Sequence, residues 1–132
     1  MNRKIVQALF IFLLAGFAAA AQNGGQDETY FIADKMPEFE GGRKGLTNFI
    51  KNKMQYPAEA KAQNITGTVY VKFAVEKNGQ VGRAEVVRGE HPSLNQEALR
   101  IVNAMPQWTP GIKNRKPVAV WQTLPVKFPM DK

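Results

Sequence analysis

The stretch KPVAVWQTLPVKFP, from Lys116 to Pro129, decides the fold. Its valines, its aromatic and its threonine, with polar and apolar residues interleaved, predict a β-strand. Pro125 sits inside it. A proline donates nothing to a β-ladder, so it predicts a strand at a sheet edge. An apolar edge strand invites pairing with another chain. Either the same molecule covers that edge, or pairing with a partner is its task.

Working backwards, the sequence supplies the rest of a small sheet. Val69, Val71, Phe73 and Val75 alternate with Thr68, Tyr70, Lys72 and Ala74, the pattern of a half-buried strand. Asn78-Gly79 predicts a two-residue type I′ hairpin turn, with a return strand over 80–87 and a bulge at Gly82. His91 to Gly111 reads as a helix with defined ends. Ser93 and Gln96 form a capping box, Leu94, Ala98, Ile101, Val102 and Met105 make one apolar stripe, and Pro106 stops it. Gly111 to Arg115 reads as a basic turn. Upstream, Leu46, Phe49 and Ile50 predict an amphipathic helix over 43–52 after a Gly41-Gly42 hinge. Pro57 opens a short second helix, which Asn64 ends. The class is α+β. Right-handed crossover geometry predicts three antiparallel strands in the order 2-1-3, with helices on one face and the last strand at the edge.

Composition narrows the function. The chain of 132 residues is enough for one domain. It has no cysteine and one histidine, which excludes disulfides, thiol nucleophiles and His/Cys metal clusters. No cofactor, metal site or catalytic residue is expected. His91 reads as a solvated loop residue. Glu38 and Glu40 read as a polar linker. Trp108 reads as a core plug with its indole N–H on a backbone carbonyl. For Trp121 a core position and a peptide-facing position both stand open. The net charge of +7 reads as a solvated basic surface, with an anionic envelope polymer as the alternative partner. Nucleic acid is not expected for an exported chain.

Residues 1–21 carry a basic start, an apolar run and small residues before Gln22, the build of a secretory signal peptide. An uncleaved membrane anchor is the alternative. Residues 22–35 read as a flexible leader with a short strand at 30–33, and residues 36–132 as the folded domain.

Tyr56-Pro57, the run Ile65-x-Gly67-x-Val69-x-Val71-x-Phe73-x-Val75, Asn78-Gly79-x-Val81, Glu97-Ala98-Leu99 and Trp108-x-Pro110-Gly111 stand in order before the Val-rich last strand. Together they resemble the C-terminal domain of TonB energy transducers. Met36-Pro37-Glu38-Phe39-x-Gly41-Gly42 resembles the Bacteroidetes variant. The resemblance implies a non-enzymatic periplasmic module that binds an extended segment, the TonB box, of an outer-membrane transporter. The segment would add as a strand beside the last strand. That makes Val118, Ala119, Val120, Trp121, Gln122, Thr123 and Leu124 the expected partner-binding edge. A short membrane-anchored transducer and a homodimer joined through the last strand are the alternatives.

Overall fold

The computed structural model describes residues 28–129. The signal-peptide reading of 1–21 and the first part of the expected leader, 22–27, therefore lie outside the described residues. The elements are β1 (Thr29–Tyr30), α1 (Gly42–Lys53), α2 (Ala58–Ala62), β2 (Gly67–Val75), β3 (Val81–Arg88), α3 (Pro92–Asn103), β4 (Gly111–Lys113) and β5 (Lys116–Phe128). The class is α+β, as expected.

β2 is the axis of the sheet. It pairs antiparallel with β5 from Gly67 opposite Phe128 to Val75 opposite Val120, without a register break. Its other side pairs antiparallel with β3. The order β3-β2-β5 is the expected 2-1-3. Two short strands extend it. β1 lies parallel outside β5, and β4 forms a hairpin with β5. The expectation of a last strand wholly at the edge is thereby corrected, because the leader folds back onto its first half.

The alternation in β2 does what the sequence implies. Val69, Val71, Phe73 and Val75 are fully buried beneath Leu94, Ala98, Ile101 and Val102 of α3. Val126 and Phe128 of β5 and Ile50 of α1 complete the layer. Each fully buried Phe, Leu or Ile contributes about 1.5–3 kcal/mol. Tyr56 closes the layer near Phe128, ring centroids 6.3 Å apart, and its hydroxyl donates to the Ile65 carbonyl.

Local chemistry departs from the sequence reading at three points. In the 76–80 turn only Gly79 has positive φ (90°). Asn78 Oδ1 instead accepts the Gln80 N–H at 2.9 Å, so a longer loop with one left-handed glycine replaces the two-residue turn. A Cβ on Gly79 would meet the Trp108 carbonyl at 2.2 Å. The type I′ pattern appears at Asn114 and Arg115 (φ 52° and 66°) between β4 and β5, where a plain basic turn was expected. The β3 bulge falls at Arg83 (φ 51°), one residue beyond Gly82.

The cap of α3 is His91, not Ser93. His91 Nδ1 accepts the Ser93 N–H at 3.1 Å, and Pro92 takes the first helical turn. His91 Nε2 faces Glu59 at 3.8 Å. The solvated-loop reading of His91 is thus replaced by a structural one.

Glu97 ties α1 to α3. It is only 8% exposed. One carboxylate oxygen accepts the Gln55 N–H at 2.8 Å and both bind Arg100. Arg100 also donates to the Lys53 carbonyl at 2.7 Å, closing the α1 terminus. Burial pushes the Glu97 carboxyl up, but the Arg100 and Gln55 hydrogen bonds outweigh it and hold the group below its ordinary value of 4.5. A lowered folded value means the unfolded chain takes up the proton first. The stabilisation is therefore complete above about pH 4.5 and is lost as pH falls through the folded value. Glu97→Ala should cost about 2–3 kcal/mol at pH 7. Urea unfolding at stepped pH should show that deficit shrinking in acid.

Candidate partner-docking edge

The register of β5 fixes which of its main-chain groups face outward. Hydrogen-bonded and non-bonded pairs alternate along an antiparallel ladder. Pro125 stands opposite Tyr70 and has no N–H to give, so it belongs in a non-bonded pair. The odd-numbered residues of β5 then turn their N–H and C=O groups away from β2. The Trp121 carbonyl, which by this parity faces outward, accepts from the Gln122 side chain at 3.1 Å. The proline that marked an edge in the sequence sits where the ladder needs no donor.

The expected edge residues divide into two groups. Val118 pairs with Gly111 of β4. Ala119 and Val120 pair with Thr29 and Tyr30 of β1, and Val120 also pairs with Val75, so it is held on both sides. Trp121, Gln122, Thr123 and Leu124 pair with β2 on one side. Among the described residues, no strand lies outside 121–128.

The side chains of this segment alternate between two faces. Leu124, Val126 and Phe128 join the helix-covered core. Trp121 lies on the opposite, helix-free face. Lys72 Nζ stands 4.3 Å from its ring centroid and the Arg83 guanidinium carbon 4.8 Å. Phe31 approaches at 6.5 Å. Trp121 is therefore neither a core plug nor bare, but a half-buried ring with two cations over it, each contact worth about 0.5–1 kcal/mol. The alternation of β2 already put Lys72 on that face. The roles of Arg83 and Phe31 rest on the bulge and on the leader, which had no such signal.

Trp108 is the core plug expected of it. It is 6% exposed and packs against Phe39 and Phe73 at 5.4 and 5.6 Å. Among the described residues, none accepts from its Nε1, which corrects the expected indole-to-carbonyl bond. Its own backbone N–H bonds the Gly79 carbonyl at 2.8 Å instead. Glu38 is not in a loose linker, since it exchanges backbone bonds with Thr109, and Lys35 does the same with Ile112. Among the described residues, no three metal-ligating side chains cluster, and no helix is long and apolar enough to cross a membrane.

The fold is a small α+β domain in which, among the described residues, one long strand is uncovered along part of its outer side. The family model for the Gram-negative bacterial TonB protein C-terminal region matches residues 52–130, and the chain belongs to that family. Protein TonB of Escherichia coli (strain K12) is 34% identical over 58 residues, a match covering 44% of this chain and 23% of that protein. The solution structure of the Helicobacter pylori TonB C-terminal domain is 23% identical and covers 67% of this chain and 94% of that one, with a TM-score of 0.48. Domains of this family act in the Gram-negative envelope and interact with outer-membrane transporters.

Proline scanning of β5 should follow its parity. Thr123→Pro, whose N–H points outward, should leave stability nearly unchanged. Gln122→Pro, whose N–H points to β2, should cost about 3 kcal/mol or more. Equal losses in urea unfolding would contradict the assignment.

Proposed function

We propose that this protein is a periplasmic, non-enzymatic binding module that recognises an extended segment of a TonB-dependent outer-membrane transporter. The segment adds as a strand along the outer side of β5. The observation that carries this reading is the outward main chain at Thr123, continuing the line of β1 with no strand beyond it among the described residues. In strand addition, main-chain bonds give affinity and side-chain contacts give selectivity. Each net bond is worth about 1 kcal/mol, so binding is modest unless the Trp121 face adds an anchor.

Residues 1–21 act in this reading as an export signal, and the mature chain begins near Gln22. N-terminal sequencing of the envelope protein reads that directly. A retained start at Met1 would favour a membrane-anchored transducer instead.

Thr123→Pro should abolish binding of short synthetic peptides from the periplasmic ends of such transporters, a loss of at least tenfold, while the fold survives. Calorimetric titration reads the affinity. Unaltered affinity in a folded Thr123→Pro protein would overturn strand addition at this edge.

A further inference from the structure

The chain already occupies part of the strip on which the partner is proposed to dock. Along the outer side of β5, Ala119 and Val120 are engaged by β1, while β4 pairs with Val118 on the side that β2 occupies further along. The Trp121 carbonyl is taken by the Gln122 side chain. Among the described residues, Thr123 alone, before Pro125 with its lone carbonyl, keeps both an outward N–H and an outward C=O with no strand beside it. An added strand loses backbone freedom at every residue it orders. One residue's worth of main-chain bonds does not offset that cost.

β1 is attached in a way that permits exchange. It is two residues long. Its side-chain contacts lie at the surface: Arg83 Nη2 donates to Thr29 Oγ1 at 2.8 Å, Lys113 Nζ stands 5.3 Å from the Tyr30 ring, and Phe31 leans on Trp121. Phe31 and Ile32 are 67% and 76% exposed. Few buried contacts and solvent-facing hydrogen bonds are the marks of a segment that opens locally without global unfolding.

We propose that β1 is a displaceable occupant of the docking strip, covering its first half in the free protein and released when a transporter segment takes the same place. This rests on the docking reading above. It lengthens the strip to include Ala119 and the Trp121 N–H. It also lowers the apparent affinity by the fraction of molecules in which β1 is released, and it shields an apolar edge from unwanted strand pairing.

The test compares three forms of the full chain against the same transporter-derived peptides. Thr29→Pro with Tyr30→Pro removes the ability of β1 to pair and should tighten binding about tenfold. Thr29→Cys with Ala119→Cys joins two directly paired positions in a chain that has no other cysteine. The oxidised form should bind at least tenfold more weakly than wild type, and reductant should restore binding. The reversible disulfide decides the matter alone if the proline variant fails to fold. Equal affinities in all forms would overturn displacement and leave the docking reading intact. Binding in none of them, with the reduced cysteine variant folded, would overturn the docking reading itself.

Discussion

The unbroken pairing of β2 with β5 is the constraint on which the rest of the molecule depends. It spans all nine residues of β2. Because side chains alternate along a strand, this one register sends Val69, Val71, Phe73 and Val75 under α3. It brings Val126 and Phe128 beside them and leaves Lys72 and Trp121 on the far face. A slip of one residue would exchange the two faces. The same register sets the parity of the backbone, so the core and the outward main chain of β5 are two consequences of one alignment. Pro125 fits without loss because its missing donor falls on an outward position.

The elements governed by periodicity were legible before any coordinates. The strict alternation of 68–75, the apolar stripe of α3 and the proline in the last strand were enough for the three-stranded order and the class. Elements governed by single side chains were not. His91 outcompetes Ser93 as the α3 cap because its ring reaches the Ser93 N–H, and cap preferences give histidine little weight. Asn78 spends its side chain on the Gln80 N–H, and the turn lengthens. The left-handed pair sits at Asn114-Arg115, where Arg is a rare choice. β1 was legible only as a short apolar run, because a parallel pair of two residues has no sequence signature of its own. The flank of β5 could thus be named as a candidate edge from Pro125 alone, while its partial coverage by the leader was not foreseen.

The helix-free face and the outer flank of β5 meet at Trp121. On the face, Lys72 and Arg83 both stand over the indole. At the flank, its carbonyl is engaged by Gln122, and Phe31 follows β1 across its ring. A strand entering beside β5 would contact the same ring that the leader now touches. This joins the two proposals physically: family membership gives the kind of partner, the parity of β5 gives the line of approach, and the leader gives the competitor already on that line.

The most direct measurement is amide hydrogen exchange along β5, followed residue by residue with and without a transporter segment. The account predicts slow exchange at Gln122 and Leu124 in the free protein, because their donors face β2. It predicts fast exchange at Thr123, slowed markedly when the segment is added. A Thr123 amide already protected in the free protein, or one that the segment leaves unprotected, would contradict it.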